Sequence, residues 1–233
     1  MPIMTAIGTE FGWRTVFIVL SAFVFIIAIL VQIFLPSVEG EKRTKSNSPF
    51  FIIRNKGVMV CLKLTLLTIM AHYGLYTYIA PLANYFNLYG GIKLASALFG
   101  IGTIISVVIA GKVVDTHLGS LLIFNLTLAL GAMLIFVVFQ GMMFISHIGF
   151  LLWGVSFGSL TTIFQTAVTK QVETGKDIAT SLQSSTFNFG IVFGSVLGGF
   201  ILDNYSVFYI IFVTMVLLVV PILLSISRRN IFS

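Results

Sequence analysis

Four polar side chains recur every three or four residues in the apolar run 58–81: Thr65, Thr68, His72 and Tyr76. That spacing puts them on one stripe of a helix. His72 is the only imidazole in the middle of an apolar run, and imidazole titrates near neutral pH, which suits proton traffic. A neutral histidine hydrogen-bonded to a neighbouring helix is the favoured reading. Tyr73, Tyr76 and Tyr78 suit stacking on a planar or sugar-like solute, or packing in a core. A second set lies in 178–202, where Ser181, Ser184, Ser185, Asn188 and Ser195 accompany Gly190, Gly194 and Gly198. Positions 188 and 190 point roughly 200° apart at ~100° per residue. The glycine stripe is therefore a packing face, where small residues let backbones approach closely. The serines and Asn188 are expected on a polar cavity. Asn188 and Ser184 then touch solute, or Asn188 makes an interhelical hydrogen bond worth under ~1 kcal/mol. A third set, Ser156, Ser159, Thr161, Thr162, Gln165, Thr166 and Thr169, crowds one half of 142–168. Gln165 is its candidate cavity residue, with a helix contact as the plainer alternative.

These residues stand in an unusually apolar chain. Charged residues make up 9% and hydrophobic residues 58%, against about a quarter charged in soluble domains. Seven apolar spans, near 13–35, 58–81, 94–111, 118–139, 142–168, 178–202 and 205–227, approach or exceed the ~20 residues needed to cross hydrocarbon as a helix. They lack the period-two alternation of a membrane barrel, so each is expected to be helical, since lipid cannot satisfy backbone polar groups. Pro81 is expected to break the second span, and Lys63 to snorkel out of it. The segment 50–54 is expected either to lie amphipathically at the interface or to begin the second span. The start, Met1-Pro-Ile-Met4, lacks the basic region of a secretory leader, and none is expected. Cys61 is the sole cysteine, which excludes an intrachain disulfide or a cysteine zinc site; no metal or other cofactor is expected.

Basic residues mark the cytoplasmic side of short loops. Lys42, Arg43, Lys45, Arg54, Lys56, Lys112, Lys170, Lys176, Arg228 and Arg229 share one side, and only Arg14 and Lys93 fall on the other. The first span is thus expected to run inward, with the C-terminus cytoplasmic. This placement accounts for the net charge of +6 without nucleic acid. Glu10, Glu39, Glu41, Asp115, Glu173, Asp177 and Asp203 all lie at span ends or in loops, so no carboxylate here suits proton transfer in mid-membrane.

Gly12-Trp13-Arg14-Thr-Val-Phe17 resembles the signature opening helix six of drug:proton antiporters in the major facilitator superfamily. Residues 2–8 then resemble the end of helix five. The stretch Gly111-Lys-Val-Val-Asp115-Thr-His-Leu-Gly119 resembles that superfamily's cytoplasmic motif between helices eight and nine, with Thr116 in place of its arginine. Residues 180–199 and Tyr76-Thr-Tyr-Ile-Ala-Pro81 are similar to helices eleven and seven of its arabinose-efflux and purine-efflux-like branch.

The resemblance implies an all-α membrane protein: a C-terminal six-helix bundle (57–229), a cytoplasmic linker (39–56) and the end of the N-terminal bundle (1–38). It implies proton-coupled efflux of a small sugar, nucleoside or drug by alternating access, in the plasma membrane of a bacterium. The partners expected are a solute, protons, lipid and an absent N-terminal half. A truncated, non-functional product or a half-size subunit is the alternative. A retinal protein would need a lysine in 205–227, and none is there. No phosphate loop, zinc motif or paired mid-membrane acids point to an enzyme.

Overall fold

A computed structural model describes residues 7, 8, 10–36 and 48–232, which are helical with no strand among them. Residues 2–6, read above as the end of a helix, and 39–47 of the linker, with Lys42, Arg43 and Lys45, lie outside the described residues. The chain divides into two compact units, Met1–Lys42 and Arg43–Ser233. The first contains helix α1, Trp13–Phe34. None of its residues is buried, and Phe17, Phe23 and Phe25 are exposed. A helix apolar on all sides is made for lipid or for other helices.

The second unit begins with a separate short helix, α2 (Pro49–Ile52), so the stretch 50–54 does not simply start the next span. Its cap is Ser48, whose Oγ accepts from Phe51 N at 3.3 Å. Asn55 then caps α3 (Lys56–Tyr76), accepting from Gly57 N at 2.8 Å and Val58 N at 3.3 Å. The span breaks at Thr77–Tyr78 before α4 (Ile79–Tyr85). Pro81 has no N–H for the Thr77 carbonyl, and its ring clashes with the carbonyl four residues back, so the break falls where proline demands it.

Helix α5 runs Gly91–Val138, 48 residues. Straight, it would be ~72 Å long, more than twice the ~30 Å hydrocarbon core. It is not straight. One residue, His117 (φ −133°, ψ 37°), leaves the helical region. Ser106 Oγ and Asn125 Nδ2 both donate to Ser159 Oγ, each at 2.8 Å. In a straight helix those two residues would stand about 28 Å apart. The helix therefore doubles back at His117 into two passes, 91–116 and 118–138. Gly141, at φ +88° where an L side chain would be strained, turns the chain into α6 (Met143–Phe157). Helix α7 (Leu160–Thr169) continues the same pass after an interruption at Gly158–Ser159. Helices α8 (Lys176–Asn204) and α9 (Val207–Ser227) complete the bundle, followed by a 3-10 turn, Arg229–Ile231. Six helices are long and apolar enough to cross a membrane. The reversal in α5 raises the passes among the described residues to seven, one of them in the first unit.

Small residues set the closest crossings. A Cβ on Gly158 would lie 2.6 Å from Thr103 Cα, and one on Gly154 would strike the Phe99 carbonyl. A Cβ on Gly190 would lie 2.8 Å from Ile69 Cβ, and one on Gly194 2.5 Å from Met70 O. Thus 91–116 packs on α6, and α8 packs on α3, with backbones nearly touching. Helix α9 closes against α3 and α5, where Thr214 Oγ1 donates to Ala71 O at 3.1 Å.

Candidate functional site

Helix α3 is the most enclosed span, with 61% of its membrane-length window buried. Its aromatic residues meet those of 91–116 and α6. The His72 ring stacks on Phe157 at 4.0 Å between centroids, on Tyr76 at 5.2 Å and on Phe99 at 5.8 Å. Trp153, fully buried, meets it edge-on at 5.5 Å. His72 Nδ1 has no hydrogen-bond partner among the described residues. Four aromatic neighbours thus enclose the ring. Thr65 and Thr68, lower on the same stripe, are fully buried and likewise lack side-chain partners among the described residues.

Tyr73 and Tyr76 lie at the edge of this cluster, half-buried, with their rings 5.8 Å apart. Tyr73 reaches Phe187 of α8 at 6.1 Å. The aromatic cluster thus passes from a dry centre to the surface beside α8.

That surface is polar. Helix α8 buries Gly190, Gly194 and Gly198 and exposes Ser181, Ser184, Ser185 and Asn188. Ser181 Oγ donates to Asp177 O at 2.8 Å, Ser185 Oγ to Ser181 O at 2.9 Å, and Asn188 Nδ2 to Ser184 O at 2.9 Å. Each donor is satisfied on the carbonyl four residues back. What remains for a ligand is both kinds of group: the Ser184 hydroxyl and the second Asn188 N–H as donors, and hydroxyl lone pairs and the Asn188 carbonyl as acceptors. Farther along, the outer face turns apolar at Phe189, Val192, Phe193 and Val196, all exposed.

Ser195, seven residues beyond Asn188, stands on the same side of α8 and is half-buried where α8 meets α3. There its Oγ lies 2.9 Å from Thr77 Oγ1, and its carbonyl accepts from Tyr78 OH at 2.9 Å. The polar half of the α6–α7 pass also divides. Thr161, Thr162 and Gln165 are exposed, while Ser156 and Ser159 are buried. No hydrogen bond or ring contact among the described residues joins Gln165 to Asn188 or His72.

Ser159 belongs to a different site. Ser106 Oγ and Asn125 Nδ2 converge on its Oγ, and its own N–H donates to Ser106 Oγ at 3.1 Å. This buried network ties both arms of α5 to the interruption between α6 and α7. Sequence reasoning passed over Ser106 and Asn125. The signal was an asparagine inside the otherwise apolar run 121–138.

The remaining motif residues lie elsewhere. Gly12 (φ +83°) precedes α1, and Arg14 stacks over the Trp13 ring at 4.8 Å. Gly111 and Asp115 are exposed before the His117 reversal, where the Asp115 carbonyl accepts from Lys170 Nζ at 3.5 Å. Gly119 is buried beneath Phe232; a Cβ there would stand 3.1 Å from Phe232 Cβ. At the same end, Gln171 accepts from Asn55 Nδ2 through its carbonyl at 2.8 Å, and donates through Nε2 to Ile231 O at 2.9 Å. This clasp joins α3, α7 and the C-terminal turn, and the sequence carried no sign of it.

The Major Facilitator Superfamily family model matches residues 1–178. The chain is 28% identical over 233 residues to a probable sugar efflux transporter of Mannheimia succiniciproducens, covering 96% of this chain and 57% of that protein. A probable sugar efflux transporter of Helicobacter pylori is 23% identical over 215 residues, 91% of this chain and 55% of that protein. A purine ribonucleoside efflux pump of Salmonella enteritidis is 25% identical over 210 residues, 88% of this chain and 52% of that protein. The chain spans about half the length of the relatives it matches.

Proposed function

The chain belongs to the major facilitator superfamily, and on that premise we propose that it forms one bundle of a secondary transporter exporting small hydroxyl-bearing solutes. The observation that carries this reading is the exposed stripe Ser181, Ser184, Ser185 and Asn188 on a helix long and apolar enough to cross a membrane. Polar side chains facing hydrocarbon are costly. A stripe of them belongs on an aqueous path, with Gln165 on the neighbouring pass and Tyr76 at the aromatic edge. The stripe offers donors and acceptors, and the hydroxyls of sugars and nucleosides do both. Both solute classes appear in the names of similar efflux proteins.

In this reading residues 57–229 are one rocking bundle, 39–56 the cytoplasmic linker, and 1–38 the end of a second bundle. Movement of the two about a midplane site gives alternating access. The excess of basic residues at the bundle end holding Arg54, Lys170 and Arg228 supports a cytoplasmic position for that end and the C-terminus. Coupling is to protons, and the acid that carries them stands in the other bundle, since residues 57–229 place no carboxylate in mid-membrane.

Everted membrane vesicles with an imposed proton gradient test this. Labelled pentose, hexose or purine nucleoside is expected to accumulate, to stop accumulating on uncoupling, and to do so at a reduced rate with Asn188→Ala. Uptake indifferent to the gradient removes proton coupling, and uptake of none of these solutes removes the solute class.

A further inference from the structure

Beyond the solute path, one end of the bundle carries a cationic groove of about 450 Å³. Arg54, Lys56, Lys63 and Arg228 line it, over a floor that includes Met59 and Val60. Helical spacing explains the arrangement. Lys56, Met59, Val60 and Lys63 stand at i, i+3, i+4 and i+7, one face of α3. Arg54 precedes that face, and Arg228 arrives from the end of α9. Among the described residues no carboxylate lines the groove, whose four charged side chains are all cationic.

The lining is amphiphilic along the helix axis. Lys56 opens α3, but Lys63 is two turns farther into the span, beyond Met59 and Val60. A soluble anion would have no use for that apolar step, whereas a molecule with a charged head and a hydrocarbon tail matches it. The neighbouring helix α2 exposes Phe50 and Phe51 at 83% and 60%, aromatic side chains suited to the boundary between headgroups and acyl chains. Basic pockets between helices at that depth recognise anionic headgroups.

We propose that this groove binds an anionic phospholipid, its phosphate held by Arg54, Lys56, Lys63 and Arg228 and its acyl chain lying along Met59 and Val60. Bound lipid would brace α2 and the C-terminal end of α9 against α3. The site stands apart from the polar stripe of α8 and does not depend on which solute is carried.

Native mass spectrometry of the full chain, released from detergent, tests it with phosphatidylglycerol, phosphatidylcholine and inorganic phosphate as probes. Phosphatidylglycerol is expected to stay bound in preference to phosphatidylcholine. The joint variant Arg54→Gln, Lys56→Gln, Lys63→Gln and Arg228→Gln is expected to weaken retention roughly tenfold or more. A charge-matched control, Lys93→Gln, Lys112→Gln, Lys170→Gln and Lys176→Gln, is expected to leave it unchanged. Lys56→Arg with Lys63→Arg, a milder change that keeps the charge and the fold, is expected to retain the lipid. Equal loss in the control would reduce the effect to diffuse surface charge and overturn the site. Displacement of phosphatidylglycerol by inorganic phosphate at comparable concentration would overturn it in favour of a soluble anion.

Discussion

Asn188 and His72 are both polar groups within spans, yet their surroundings assign them different work. Asn188 is exposed and, among the described residues, bonded only to its own helix. Asn188→Ala is expected to leave thermal unfolding within about 0.6 kcal/mol of the parent. It should slow solute efflux about tenfold, the loss of one hydrogen bond worth ~1–1.5 kcal/mol; parallel melting and vesicle-uptake measurements check both. His72 is enclosed by Phe99, Trp153, Phe157 and Tyr76, and we assign it to positioning Tyr76. His72→Phe preserves a ring of similar shape and should cost less than ~1.5 kcal/mol. His72→Ala leaves a cavity and should cost about 3 kcal/mol, read from thermal unfolding in detergent. Retained transport in His72→Phe would separate this role from proton carriage. The exposure of Asn188 was legible in the sequence, because it follows from a two-residue offset on one helix. The surroundings of His72 were not. Phe99 and Trp153 come from passes that no periodicity within 58–81 can report.

At the scale of elements, the glycine stripe makes a sharp prediction. A Cβ at Gly194 meets the Met70 carbonyl at 2.5 Å, backbone that cannot swing aside. Gly194→Ala should separate α8 from α3 and cost about 1–3 kcal/mol. Gly131 meets nothing within 4 Å. Gly131→Ala should instead stabilise the helix by about 0.5–1 kcal/mol. Paired melting curves decide, and equal effects would show that the α3–α8 crossing is not backbone-tight. Ser159→Ala strands Ser106 and Asn125 without their shared acceptor, and should destabilise by about 1–3 kcal/mol. Spacing alone exposed the stripe, since it needs only the helical period. The Ser106–Asn125–Ser159 network was hidden, because it depends on α5 folding back at His117. Thr116 Oγ1, beside His117 Nδ1 at 2.8 Å and bonded to Val113 O at 3.2 Å, marks that reversal, but no proline or positive-φ glycine stands at the kink itself.

For the whole molecule, hydrophobic length and polar loops were enough to read seven helical passes, because lipid leaves the backbone no other solution. The order of packing, with α3 enclosed and α8 carrying a bare polar face, was not readable, since it depends on contacts between passes far apart in sequence. That face underlies the proposed function, and the chain itself makes it testable. Its single cysteine, Cys61, is fully buried, so an introduced thiol reports with little background. In everted membrane vesicles, Ser184→Cys and Asn188→Cys are expected to react with a water-soluble, membrane-impermeant thiol reagent and to be protected by solute. Phe193→Cys and Phe200→Cys, exposed roughly 110–130° around the same helix from the stripe, are expected to resist it. If the thiols at 184 and 188 stay unreactive while those at 193 and 200 are labelled, the polar stripe is a helix contact and the account of a solute path along α8 is wrong.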